Sequence, residues 1–158
     1  MADFRIKVSA KLCRECQACA LACSLYHEGE CNPSLSRVVV LKDMAKYKFH
    51  ILLCYHCETP KCIVACPTDA MVVDERGVVM INQDDCILCE TCASSCPHHA
   101  IVFDEIQNRY IKCDLCAGRE AGPVCVEVCP VGALTLVAGK QVGQRTNPRN
   151  AAGAGDEG

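Results

Sequence analysis

Apolar residues in this chain come in short runs, most of them paired across a turn. Phe4-Arg5-Ile6-Lys7-Val8 alternates apolar and polar positions with a period of two, the pattern of a half-buried strand. Runs at 37–41 and 49–53 follow. Met71 to Val73 leads through Glu75-Arg76-Gly77 into 78–81, and 101–103 leads through Gln107-Asn108 into Tyr110-Ile111. A last run occupies 135–137. The pattern predicts β-hairpins with little room between them for anything but short helices and loops, an α+β fold. No apolar stretch approaches the ~18 to 20 residues of a membrane-spanning helix, so no direct membrane insertion is expected. Beyond Val137 the chain turns to Gly, Ala, Asn, Gln and charge, which predicts a folded domain over 1–137 and a flexible tail over 138–158.

Between the hairpins stand the cysteines. They fall into four groups: Cys13, Cys16, Cys19 and Cys23; Cys54, Cys57, Cys62 and Cys66; Cys86, Cys89, Cys92 and Cys96; and Cys113, Cys116, Cys125 and Cys129. Groups one and three share the spacing C-x2-C-x2-C-x3-C, and groups two and four lengthen its middle step. Three groups close on one phrase: Cys66-Pro67-Thr68-Asp69-Ala70-Met71, Cys96-Pro97-His98-His99-Ala100-Ile101 and Cys129-Pro130-Val131-Gly132-Ala133-Leu134. The proline fixes its own φ and turns the chain out of the cysteine loop into a strand. Group one departs from this, with Ser24 in the proline's place and an insertion at 24–53 before group two. That insertion is expected to cover a metal centre or meet a partner.

Composition changes the picture in two ways. The 51% hydrophobic fraction includes 17 cysteines, whereas the aromatics are three Phe, four Tyr and no Trp, so side-chain packing alone does not make the core. The formal net charge of -3 leaves no basic footprint for nucleic acid. A disulfide scaffold is disfavoured because the cysteine count is odd and the Cys-x-x-Cys steps crowd their neighbours. The start, Met1-Ala2-Asp3-Phe4-Arg5, shows no secretory pattern, and a cytoplasmic location is the expectation.

The chemistry follows from spacing. A loop with cysteines at every third position offers three thiolates to the corners of a [4Fe–4S] cubane and aims backbone N–H groups at its sulfides. Zinc takes two separated Cys-x-x-Cys pairs and requires neither the third nearby cysteine nor the proline, so a zinc-binding interaction module is the remote alternative. Four clusters are expected. Four-cysteine ligation leaves no open iron for a substrate, and no dinucleotide or phosphate loop is present, so no catalytic residue is expected. Cys31, outside every group, reads as an idle thiol. His56, His98 and His99 read as neighbours of the metal sites or surface residues. Lys11, Arg14, Lys61 and Lys112 flank cluster cysteines; raising a local potential by offsetting negative charge is one reading of them, and isolated surface cations is the favoured one.

Over about residues 7–137 the four ordered groups, with the Cys113-Asp114-Leu115-Cys116 step and the wide gap to Cys125, resemble the four-cluster iron–sulfur subunits and polyferredoxins similar to the beta subunits of dimethyl sulfoxide reductase and formate dehydrogenase. The resemblance implies a four-cluster domain of two interlocked bacterial-ferredoxin-like dicluster modules. It pairs group one with four and two with three, giving Cys13, Cys16, Cys19 and Cys129 for one cluster and Cys113, Cys116, Cys125 and Cys23 for its neighbour. A third takes Cys54, Cys57, Cys62 and Cys96, and the last Cys86, Cys89, Cys92 and Cys66. The function it implies is electron transfer as the wiring subunit of a larger oxidoreductase of anaerobic metabolism, with a freely diffusing polyferredoxin as the alternative. The short form resembles partners of tungsten or molybdenum pterin enzymes of the aldehyde oxidoreductase class, and also those of carbon monoxide dehydrogenase, hydrogenase and formate dehydrogenase. A flavin subunit or a ferredoxin is the expected neighbour at the other end, and self-association is a further expectation.

Overall fold

A computed structural model describes residues 4–138. Its strands form four separate two-stranded antiparallel sheets. Three are hairpins: β2 (Val39–Asp43) with β3 (Lys48–Leu52), β4 (Met71–Val73) with β5 (Val79–Ile81), and β6 (Ile101–Asp104) with β7 (Arg109–Lys112). The fourth joins the two ends of the domain, β1 (Phe4–Val8) with β8 (Leu134–Ala138), in the register Val8↔Leu134 to Phe4↔Ala138. The predicted runs fall on these strands to within two residues at each end. The expected tail lies outside the described residues, apart from Ala138, the last residue of β8.

Each hairpin turns on the same device. Asp43, Asp74 and Asp104 stand at or just past the end of a strand, and each carboxylate accepts two backbone N–H bonds from the turn that follows, at 2.8 to 3.1 Å. The turn then closes through a left-handed residue, Tyr47, Gly77 or Asn108.

Short helices carry the cysteines: α1 (Ala18–Glu28), α2 (Lys61–Ala65), α3 (Thr91–Ser94) and α4 (Val124–Glu127). α1 packs on α4 and α2 on α3. The last three stop at or just before a Cys-Pro step, because proline cannot continue a helix. α1 does not stop there, which is why Ser24 replaces proline: the helix runs on past Cys23 until Gly29, whose φ of 77° lets its N–H bond back to the Leu25 carbonyl at 3.0 Å. Ser24 is fully buried; its Oγ donates to the Leu21 carbonyl and accepts from the Asn32 N–H, each at 3.0 Å, folding the insertion back onto the helix.

The core is unusual in content. One apolar cluster gathers Ile6, Val38, Ile51, Leu53, Val78 and Leu134 around buried cysteines, among them Cys13 and Cys113; a second gathers Ile63, Met71, Val79, Ile101 and Tyr110 around Cys66 and Cys92. A buried ionic network braces the outside. Glu28, at the end of α1, receives Arg109 Nη2 at 2.5 Å and Gln107 Nε2 at 3.1 Å, while Arg37 Nη2 stands 3.2 Å away as a charge contact without hydrogen-bond geometry. Arg109 also reaches the buried Asp104 at 3.3 Å. The network fastens α1 to the β6–β7 hairpin and to the approach to β2.

Two outcomes follow for stability, both read by chemical denaturation of the native protein. Ser24→Pro should cost about 3 kcal/mol or more, by removing a helix-interior N–H and clashing with the preceding turn. Glu28→Gln should cost about 1 to 3 kcal/mol, since it takes the carboxylate from Arg37 and leaves Arg109 with Asp104 alone, and no measurable change would contradict the network's bracing role.

Candidate metal centres

Three hollows are each lined by four cysteines drawn from two groups. Cys13, Cys16 and Cys19 share one with Cys129. Cys54, Cys57 and Cys62 share another with Cys96. Cys86, Cys89 and Cys92 share the third with Cys66. The four remaining grouped cysteines, Cys23, Cys113, Cys116 and Cys125, are all buried. They lie within each other's fields: Cys125 feels Cys23 and Cys116, Cys116 feels Cys23, and Cys113 feels Cys125. Every one of the seventeen cysteines is free of a disulfide.

The loops are built alike. Two residues after the first cysteine of each group stands a non-glycine residue in the left-handed region: Glu15, His56, Leu88 and Leu115, with φ of 57°, 47°, 58° and 57°. At three of the four this conformation turns the residue's own N–H onto that cysteine's sulfur, at 3.5 Å for Cys13, 3.4 Å for Cys54 and 3.5 Å for Cys113. Gln17 and Glu90 repeat the left-handed step just before α1 and α3. The closing phrases match too, since Asp69, His99 and Gly132, third after Cys66, Cys96 and Cys129, all have positive φ. Glycine serves at 132; the aspartate and histidine adopt the same shape at a cost.

Electrostatics divides the cysteines into two kinds. Burial pushes the Cys19 thiol up to about 11 and those of Cys62 and Cys125 to about 12. Such thiols release their protons in exchange for a metal. Burial also raises Cys66 and Cys129, but the N–H groups of the Cys-Pro phrase outweigh it and leave both below the ordinary thiol value. For Cys129 the donors are Leu134, Val131, Ala133 and Gly132, with the Ala133 N–H at 3.2 Å. The Cys23 sulfur takes the Arg37 N–H at 3.4 Å in place of the missing phrase, so the insertion supplies what the absent proline loop does not. The insertion also walls the first hollow with Val40 and Ile51.

Other residues sort as follows. Cys31 is exposed and outside all four sets. His98 lines the hollow of Cys54, its ring 4.6 Å from Tyr55, and His99 is exposed. His56 is buried and accepts the Val79 N–H on Nδ1 at 3.0 Å; burial, with Lys112 and Arg5 nearby, holds it neutral at about 3. Lys11, Arg14 and Lys61 are exposed, as expected of surface cations, but Lys112 is only 5% exposed and corrects that expectation. His27 and Asp114 went unanticipated: His27 Nε2 lies 3.8 Å from Cys116 Sγ and 3.4 Å from Asp114 Oδ1. His27 stands four residues after Cys23 on α1, a spacing that brings it back to the same helix face once the helix is known to continue.

Sulfur-lined hollows, N–H groups aimed at sulfur and a buried lysine suit an anionic metal–sulfide core, and together they define a small α+β iron–sulfur protein of ferredoxin type. Residues 45–139 match the family described as 4Fe-4S dicluster domain, and this protein belongs to that family. It is 35% identical over 136 residues to the thiosulfate reductase electron transfer subunit PhsB of Salmonella typhi, 78% of this chain and 70% of that one. It is 34% identical over 143 residues to the B subunit of anaerobic dimethyl sulfoxide reductase of Escherichia coli strain K12, covering 80% and 69%. Against the longer putative oxidoreductase AegA of the same organism it is 34% identical but spans 21% of that protein's length. Among solved structures, the active site complex BamBC of benzoyl coenzyme A reductase contains a chain with TM-score 0.54 and 28% identity, matched over 87% of this chain and 76% of that one. The chain is an iron–sulfur electron-transfer protein carrying [4Fe–4S] clusters, of the kind found as reductase subunits, and is not itself a catalytic subunit. Among the described residues no helix is long and apolar enough to cross a membrane.

Left-handed backbone at a non-glycine residue costs on the order of 1 kcal/mol or more. Over Glu15, Gln17, His56, Asp69, Leu88, Glu90, His99, Leu115 and Cys116 the sum is about 10 kcal/mol, as large as the stability of a whole domain. Iron chelation should therefore open the cysteine loops. Limited proteolysis will show cleavage within 13–19, 54–62, 86–92 and 113–125 in the iron-free protein alone; unchanged protection would contradict it.

Proposed function

We propose that the sixteen grouped cysteines hold four [4Fe–4S] clusters in a row and that the chain wires the catalytic subunit of a reductase to its electron donor. The assignment pairs groups one and four and groups two and three: Cys13, Cys16, Cys19 with Cys129; Cys113, Cys116, Cys125 with Cys23; Cys54, Cys57, Cys62 with Cys96; Cys86, Cys89, Cys92 with Cys66. Bound clusters supply reversible one-electron acceptance. The chain's own part is to hold them in sequence and to steady the added negative charge with N–H groups aimed at sulfur.

The observation that carries the reading is the nearness of neighbouring sets. Cys125 of the second set lies in the field of Cys19 of the first, and Cys113 of the second in that of Cys54 of the third. The third and fourth share α2 and α3 through Cys62 with Cys66 and Cys92 with Cys96. The ends of the row are open: Cys16 and Cys89, one in each terminal set, are exposed, whereas the second set is buried throughout. A partner can thus approach either end without disturbing the middle.

The partner class we propose is a tungsten or molybdenum pterin oxidoreductase, with a flavin subunit or ferredoxin at the far end. Support comes from the relatives named as parts of reductases and from the structural neighbour's place in an active site complex. Cys89→Ala should lower iron from about sixteen to about twelve atoms per chain while the other three clusters remain. Iron unchanged would remove Cys89 from the ligand set. In native extract the chain should elute with a larger redox subunit, and elution only as a lone small species would end the subunit reading.

A further inference from the structure

Lys112 closes β7, next to Cys113, and is 5% exposed. Its ammonium donates to the Val79 carbonyl and, at 2.9 Å, to the Cys113 carbonyl. Val79 also donates its N–H to His56 Nδ1, inside the group-two loop. One buried polar strut therefore runs from the loop of Cys54 and Cys57, through β5, to the loop of Cys113. Lys112 and Val79 both line the hollow of Cys54, Cys57, Cys62 and Cys96. On its other side Lys112 borders a polar cavity with Arg37, Gln83 and Asp114.

A buried ammonium costs several kcal/mol unless negative charge balances it. Carbonyl dipoles do not supply that charge. Among the described residues no carboxylate forms an ion pair with Lys112 within 4 Å. His56 is neutral, Arg5 and Arg37 add positive charge, and the Asp114 carboxylate is turned to the Cys116 N–H at 3.0 Å, with His27 Nε2 3.4 Å away. Cysteines of two sets lie within reach of its charge, Cys62 across the hollow that both line and Cys113 next along the chain. These belong to the two inner sets.

We infer that Lys112 is the shared counter-charge of the two inner clusters, raising the potentials of both and setting the energy of the step between the two modules. A fixed positive charge in a low-dielectric wall stabilises the more negative, reduced form of any cluster beside it. Because it stands between two such sites it acts on both at once. Lys112 is a positioning residue for charge and holds no iron; the inference rests on the cluster assignment proposed above.

The test is an anaerobic redox titration of the loaded, full-length chain followed by electron paramagnetic resonance. Lys112→Gln keeps a hydrogen-bond donor and removes the charge. It should disfavour reduction of two of the four clusters by on the order of tenfold each, about 59 mV for a one-electron couple. Lys112→Arg, which keeps the charge, should leave all four midpoints in place, as should Lys11→Gln at an exposed site close to Cys13. Should the glutamine variant lose its inner clusters while the arginine variant keeps them, the charge requirement stands. Four unchanged midpoints in a fully loaded Lys112→Gln protein would overturn the inference, as would equal shifts or equal cluster loss in both variants. A wild-type chain holding fewer than about sixteen iron atoms would instead sink the assignment beneath it.

Discussion

Four thiolates closing on one inorganic core is the interaction everything else in this chain depends on, because the loops that present them are shaped in a way peptide does not choose. Nine non-glycine residues in and around those loops, from Glu15 to Cys116, sit in the left-handed region. That conformation turns N–H groups toward sulfur and brings three cysteines to one hollow. Hydrophobic burial plays the supporting part: cysteines make up much of both apolar clusters, so the sulfur sites and the core are largely the same volume.

What packing remains is organised to keep these sites fixed. Three hairpins share the aspartate-closed turn, and the pairing of β1 with β8 fastens the start of the domain to its end, beside the loop of group one and the closing phrase of group four. Glu28 brings charges from three segments to one point. Buried ion pairs contribute little net stability against an apolar alternative. Their value here is geometric, since a carboxylate held by two arginines and an amide cannot drift without stranding charge.

The legible part of the molecule was the part written in periodicity. Cysteine spacing marked the four loops, and short apolar runs marked every strand, the six of the local hairpins and the two that pair across the whole domain. Left-handed loop residues were hidden, since Glu15, Leu88 and Leu115 are ordinary residue types in positions that only the metal site explains. Lys112 was misread as a surface cation because sequence shows a charge and not what stands around it; its burial depends on β5 and the group-two loop, both far away in the chain. Ser24 looked like an irregularity. It proved to be the ordinary consequence of a helix that continues, a fact carried by Gly29 and by the serine's bonds to Leu21 and Asn32 rather than by the cysteine pattern.

That continuing helix bears on distance. Cys19 and Cys23 occupy successive turns of α1, and on the proposed pairing they would serve different clusters, so the offset between these two attachment points is fixed by the helical rise, about 6 Å over four residues. A helix resists stretching far more than a loop does. Tunnelling rates fall steeply with separation, and this joint of the wire keeps its length whether or not the surrounding loops breathe.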